Sequence, residues 1–583
     1  LVRAYSCLNH GEKTLFAQDN CLNLVNVSSH PPAIPPHRLV VHAIGANPSM
    51  SLARNTLVQA GFTLLSRLLG YARDRAISNL LGAGWVGDAF ATAQTFPNLF
   101  RRILAEGAFS QAFVPLYAKT QAEIGKDQAA EVASQAFSVL TLVAALVTIL
   151  AQLTMPWIML VIHGGYADKP QAFQFAILLT QITMPYLVGM AMSSLFSGVL
   201  NTAGKFALSA AAPTLLNLTI LAAVVFVKDP NQAAINAAVA ITIAGFLQAT
   251  ALYIGCRRLG VRIGFRVPRL TPEVKAIVTV MVPSVIAGSA THLNVLVSQS
   301  LSSFEVGAKS WLYAADRLFQ LPLGLIGVAI GVALLPRLAR AVASPETGDD
   351  TKALDEAFVL SMAFTLPAAA ALVVAPFFLM QGFWAGGQFT EADARATADA
   401  LFHYGWGVPA FVLIRILAPP FFARGDTKRP MNFALISVLV NIGLGASLFF
   451  GLRAMDLPGY VGLAIAASVS GWVNALLLAV TLLHERNWRP EPWVLGKFFR
   501  IVIATAVMAA VLGFAALNRV PIEGWFEARL VFGKEVATLL VCLVGMIVYA
   551  AIAFLVRAVT MADIKLALQK PAGASAVSTQ DEF

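Results

Sequence analysis

The sequence predicts an all-α polytopic membrane protein of about fourteen transmembrane helices, built as two pseudo-repeated six-helix lobes plus two C-terminal helices. Three observations point there. Hydrophobic residues fill 58% of the 583 positions and charged residues only 12%, about half the charged share of a soluble domain. Apolar runs long enough to cross a bilayer recur along almost the whole chain. Two of the loops between those runs carry the same pattern of glycine, basic residue, proline and later asparagine.

The elements follow in order. Residues 1–49, with "SSHPPAIPPHR" and no apolar run of signal-peptide length, read as a disordered extension or a start-site artefact ahead of Met50. Spanning runs then occupy 55–80, 86–115, 131–161, 172–201, 208–227 and 233–255, inside an N-lobe of 50–256. A C-lobe of 257–484 holds 273–298, 309–335, 354–381, 396–422, 431–451 and 460–483. The last two runs, 498–517 and 535–558, fall in 485–560, and 561–583 is a polar cytoplasmic tail. The lobe division rests on the repeat. In "NTAGKFALSAAAPTLLN" Lys205 precedes Asn217 by 12 residues, and in "ARGDTKRPMNFALISVLVN" Arg429 precedes Asn441 by the same interval. Parallel repeats of this kind place a transport site between the lobes.

The net charge of +10 does not indicate nucleic acid, because the basic residues lie mainly in short loops. Alternate loops on one side, including the Arg257–Lys275 stretch, hold roughly twice the Lys and Arg of the other side. That side is the cytoplasmic one, and with fourteen spans both termini are cytoplasmic. Cys7, Cys21, Cys256 and Cys542 have neither metal nor disulfide spacing.

The informative residues are charges inside apolar runs. Arg101 and Arg102 sit mid-run in "FPNLFRRILAEGAFSQAFVP", about 20 Å from either end at 1.5 Å per residue, too deep to snorkel. Asn98, Arg102 and Glu106 share one helix face. An internal Arg102–Glu106 ion pair is the plain alternative, but it leaves Arg101 unexplained. The first run places Arg67 beside Ser66 and, about two turns on, Arg73 beside Asp74; Asp88 opens the second run. The eighth run carries Asp316 and Arg317, whose adjacency on a helix predicts different partners. An ionised side chain at bilayer depth costs roughly 3 kcal/mol, so such a set marks a functional interior. Arginines from three helices suit a polyanion, since guanidinium forks grip phosphate and carboxylate with paired donors. His292, Asn217, Asn441 and Asn474 read as interhelical hydrogen-bonding residues, and Arg415 as cavity-lining or snorkelling.

With those residues in view, the chain resembles the MurJ (MviN) family of lipid II flippases over residues 50–560. The densest part is "SRLLGYARDRAISNLLGAGWVGDAFATAQTFPNLFRRILAEGAFSQAFVPLYA", supported by "WLYAADRLFQLPLGLIGVAIGVALLP" and "LAPPFFARGDTKRP". The resemblance implies the fold of the multidrug/oligosaccharidyl-lipid/polysaccharide (MOP) exporter superfamily, with the last two helices forming a lipid-tail groove. It implies a transporter without cofactor, not an enzyme. Its substrate would be lipid II, undecaprenyl-pyrophosphate bearing the disaccharide-pentapeptide peptidoglycan precursor. Membrane lipids and the cell-wall synthesis and division machinery are the other partners implied. The family's important charges match Arg67, Arg73, Asp74, Asp88, Arg101, Glu106, Asp316 and Arg317 here. The expected substrate-binding set is therefore Arg67, Arg73, Arg101, Arg102 and Arg317 with Ser66 and Asn98, and the charge-pairing or gating set is Asp74, Asp88, Glu106 and Asp316. Coupling to membrane potential or to a monovalent cation stays open. The rivals are a drug/cation antiporter of the same superfamily and a membrane-embedded transferase acting on a lipid-linked sugar. The transferase would need a general base or metal-binding carboxylates near the membrane surface.

Overall fold

A computed structural model of the protein describes residues 48–101, 108–333 and 349–561. Residues 1–47, Arg102, Glu106 and the 562–583 tail lie outside the described residues, as do the side chains of Arg101 and His292. By contacts the chain divides into Leu1–Leu52 and Ala53–Phe583, and the second unit holds the helical bundle.

Among the described residues the elements are helices, with one isolated bridge between Gly386 and Phe389. The first half contains α1 (Pro48–Leu81), α2 (Trp85–Arg101), α3 (Ala108–Glu123), α4 (Lys126–Ile162), α5 (Pro170–Thr183), α6 (Tyr186–Thr202), α7 (Phe206–Val224) and α8 (Pro230–Arg258). The second half contains α9 (Pro272–Ser302), α10 (Ala308–Ala333), α11 (Asp349–Val374), α12 (Pro376–Phe383), α13 (Glu391–Gly405), α14 (Val408–Leu417), α15 (Pro419–Ala423), α16 (Lys428–Ala454) and α17 (Gly459–His484). It ends with α18 (Pro492–Leu517), α19 (Arg519–Glu527) and α20 (Gly533–Leu555).

Among the described residues, ten helical segments are long and apolar enough to cross a membrane. They correspond to ten of the predicted runs. The first, second, seventh and eighth runs, α1, α2 with α3, α9 and α10, are not among them. α1 is interrupted by charge, with Arg67, Arg73, Asp74 and Arg75 in its second half.

Three predicted spans are broken, each at proline. The run 172–201 is α5 and α6 with Pro185 between them, and 354–381 is α11 and α12 with Pro376 opening the second helix. The run 396–422 is α13, α14 and α15, with Pro409 and Pro419 each in a first turn. Proline has no N–H to give the preceding turn, and it fits best where a helix starts. Pro97, Pro115, Pro156, Pro213, Pro322 and Pro367 are instead carried inside helices.

Within the first half α6 packs on α8, α7 on α8, and α2 on α5. The α6–α8 approach is close because Gly189 faces the Gly245 backbone, and a Cβ at 189 would stand 2.5 Å from the Gly245 carbonyl carbon. In the second half α16 packs on α17, α10 on α13, and α14 on α17. α18 packs on α20 and on α11. α9 touches α3 and α4 of the first half as well as α16 and α17 of the second. The two repeat segments adopt matching local structure. Gly204 and Gly425 both take positive φ just before α7 and α16, and Asn217 and Asn441 are both buried within those helices.

The basic 257–275 loop is strapped along α4. Arg266 pairs with Glu131 at 3.1 Å, while the Gly264 and Arg266 amides donate to the Ser134 and Ser138 hydroxyls.

Candidate functional site

The predicted interior charges from α1 and α10 meet at Asp74. Its carboxylate is buried, accepting from Arg73 Nε at 2.9 Å and Arg73 Nη2 at 2.5 Å. Arg73 also donates Nη1 to Asn217 Oδ1 at 2.9 Å, and Asn217 Nδ2 donates to the Ser66 carbonyl at 2.9 Å. α1 is thereby tied to α7 at two levels. From α10, Arg317 brings Nε to 3.1 Å from Asp74 Oδ2, within ion-pair range but not aligned as a hydrogen bond. Tyr313 donates its hydroxyl to Asp74 Oδ1 at 3.2 Å and accepts from Arg317 Nη2 at 2.8 Å, and the Arg317 guanidinium lies 4.7 Å from the Tyr313 ring centre. Two arginines on one carboxylate leave a net positive charge. A small cleft of about 30 Å³ lies alongside, lined by Asp74, Ser78, Gln94, Ser310 and Tyr313 among others.

Asp316 and Arg317 do take different partners, because Asp316 accepts from Gln320 Nε2 one turn on. Arg73 and Asp74 bond to each other despite the same adjacency, because the long arginine side chain folds back over the shorter carboxylate. Arg67 reaches α10, where a Cβ on Gly324 would overlap its guanidinium. Ser66 and Asn98 are half-buried. Arg101 is the last residue of α2.

Asp88 departs from the expected pairing with those arginines. It accepts from the Gly307 amide at 2.6 Å, the Ser310 amide at 3.0 Å and the Ser310 hydroxyl at 2.8 Å. A carboxylate from α2 thus caps the N-terminus of α10, where unpaired amides and the helix dipole favour a negative charge. Lys309 also departs from expectation. At the first position of the predicted 309–335 run, it reads as a lysine at the membrane edge, yet it is 4% exposed and donates to Thr92 Oγ1 at 2.7 Å. Further bonds cross between the halves at the same end: Gln388 N to the Asn79 carbonyl at 2.7 Å, Trp384 Nε1 to Ser78 Oγ at 2.9 Å, and Tyr71 Oη to the Phe383 carbonyl at 2.5 Å. These bonds join the two halves at this end. Tyr313 was findable in the sequence, one turn before Arg317 on the same helix face. Lys309 and His163 carry no such local signal.

Two solved structures share the fold. One, titled lipid II flippase MurJ in an inward closed conformation, aligns with a TM-score of 0.70, 23% identity, and coverage of 86% of this chain and 99% of its own. The other is an inward-facing multidrug resistance MATE family transporter of the MOP superfamily, with a TM-score of 0.59, 15% identity, and coverage of 74% and 97%. The class is therefore a multi-pass, all-helical membrane fold shared with those two chains.

The family follows from sequence. The model of lipid II flippase MurJ matches residues 77–522. A relative from Rhizobium meliloti (strain 1021), named probable lipid II flippase MurJ, is 37% identical over 543 residues, 91% of this chain and 99% of its own. Lipid II flippase MurJ of Burkholderia cenocepacia is 34% identical over 511 residues, 87% and 96% of the two chains. This chain belongs to the MurJ lipid II flippase family, whose members are transporters and not enzymes.

Proposed function

We propose that this chain moves lipid II from the cytoplasmic to the outer leaflet of the inner membrane by alternating access through a cationic cavity between two lobes. One observation carries the site reading. In a member of the lipid II flippase family, Arg73 and Arg317 from opposite halves of the chain converge on one buried carboxylate, leaving excess positive charge beside a cleft. A pyrophosphate offers the paired oxygens that such forks bind. Asp74 holds Arg73 and Arg317 in place when no phosphate is present. The proposed substrate-binding set further comprises Arg67, Arg101, Arg102, Ser66 and Asn98. The apolar tail stays in lipid along α18 and α20.

The bonded end supports alternating access. Its bonds join the halves, and the Lys/Arg bias assigns it to the outside, with both termini inside. Opening there, with closure at the other end, would carry the headgroup across. Membrane potential can contribute about 2.3 kcal/mol per charge per 100 mV, and a monovalent cation is the other candidate driving ion.

The test is substitution in cells that depend on this chain for flipping. Arg101→Ala and Arg317→Ala should each abolish externally accessible lipid II while protein levels hold. Full activity of either variant would remove that residue from the site.

A further inference from the structure

Next to the Asp88 cap lies a second buried polar group. Lys309 Nζ, from α10, sits 3.0 Å from His163 Nδ1 and 3.5 Å from Nε2, and 5.0 Å from the centre of the Tyr166 ring. His163 follows the C-terminal end of α4 and is wholly buried. His163 also hydrogen-bonds the Gln299 backbone, and a neutral ring keeps one nitrogen as acceptor for the Lys309 ammonium. Thr92 Oγ1 accepts from Lys309, donates to the Asp88 carbonyl at 2.8 Å, and lies 3.1 Å from Tyr166 Oη. The charged and titratable groups around the pair are Asp88 on α2, Tyr166 beyond α4, and Glu305 before α10. Glu305 is turned toward the Tyr460 amide and lies in the fields of Arg453 and Lys169.

We infer that Lys309 and His163 form a proton-binding latch between the two halves: it is closed with one proton on the pair and released when a second proton binds His163. The chemistry is direct. With Lys309 charged and His163 neutral, the ammonium donates to both His163 and Thr92, and α10 is held against α2 and the end of α4. A proton on His163 removes the acceptor and sets two cations about 3 Å apart in a buried site, and separation of the halves relieves that repulsion. His163 lies outside the spanning segments, and burial together with the Lys309 ammonium holds its pKa well below the usual histidine range. When the halves part, the ring meets water and regains ordinary basicity, so protons bind the open form more tightly. Acid on this side therefore favours opening. The ligand is the proton, and the inference rests on the alternating-access reading above.

The experiment places spin labels at Ala167→Cys and Met455→Cys, two exposed positions. The native cysteines are replaced, and the labelled protein is reconstituted in liposomes for dipolar distance measurement between pH 8 and pH 5.5. The open-to-closed ratio should rise by up to about tenfold per pH unit below about pH 6.5. His163→Gln, which keeps an acceptor and a donor but cannot charge, should stay closed with no slope. Thr92→Val should raise the open population equally at every pH and keep the wild-type slope, which separates a weaker contact from a lost proton site. A wild-type ratio independent of pH with both distances present, or a slope retained in His163→Gln, overturns the latch and spares alternating access. A single distance at every pH overturns both.

Discussion

Asp74→Asn isolates the charge at the centre of the proposed site. The substitution keeps shape and acceptor capacity but removes the negative charge that two arginines share. At about 4 Å between charge centres and an effective dielectric of about 20, each ion pair is worth roughly 4 kcal/mol of direct attraction. The two pairs do not count equally. Arg73 is buried, so removing its partner leaves an uncompensated interior charge at a cost of about 3–5 kcal/mol. The Arg317 side chain is 34% exposed, and solvent screening reduces its share to about 1 kcal/mol or less. The Asn217 bond to Arg73 survives and offsets part of the loss. The expected destabilisation is therefore about 3–5 kcal/mol, dominated by Arg73. Denaturation in mixed SDS micelles, followed by tryptophan fluorescence, measures it. Adding Arg73→Met should recover most of the loss, with a coupling energy of about 2–3 kcal/mol. Adding Arg317→Met should recover about 1 kcal/mol. A loss below about 0.5 kcal/mol for Asp74→Asn, or strict additivity with Arg73→Met, would refute the claim that this carboxylate holds the arginines.

Three further outcomes are expected. Asp88→Ala should cost about 1–2 kcal/mol at the start of α10 and speed hydrogen exchange at the Gly307 and Ser310 amides, whereas Asp88→Asn should retain most of that protection, because asparagine also caps well. Gly189→Val should force α6 and α8 apart at a cost of at least about 1–3 kcal/mol, seen as loss of monodisperse protein in detergent. Burial raises the Glu305 pKa above the ordinary glutamate value despite the Tyr460 amide it accepts from. Its contribution to stability is therefore full below the ordinary glutamate range and declines as pH rises through the raised folded value. Glu305→Gln should remove that decline from the melting temperature measured against pH.

The features legible in the sequence are the local ones. Apolar runs and their length place the helices, because the bilayer fixes both length and composition. Charges within those runs marked the Arg73–Asp74 and Asp316–Arg317 pairs without regard to tertiary contacts, because lipid makes any such charge conspicuous. Asn217 was readable as an interhelical hydrogen-bonding residue, and it bridges Arg73 and the Ser66 carbonyl. The rest depends on distant partners. Lys309 stands at the first position of the 309–335 run, so it reads as a lysine at the membrane edge until Thr92, and His163 at the end of a 37-residue helix, are brought to it. Asp88 looks like one more carboxylate for the arginines until the unpaired amides of α10 arrive beside it. Breaks at Pro185, Pro376 and Pro409 could not be told from the prolines that α4, α7 and α10 carry intact, because the difference lies in what packs beside each.

The central claim, that this chain flips lipid II, is tested most directly by depleting a bacterium's own flippase, expressing this chain, and measuring lipid II accessible from outside the cell. The account predicts that external lipid II and growth are both restored. A well-expressed, membrane-inserted chain that leaves lipid II confined to the inner leaflet would contradict it.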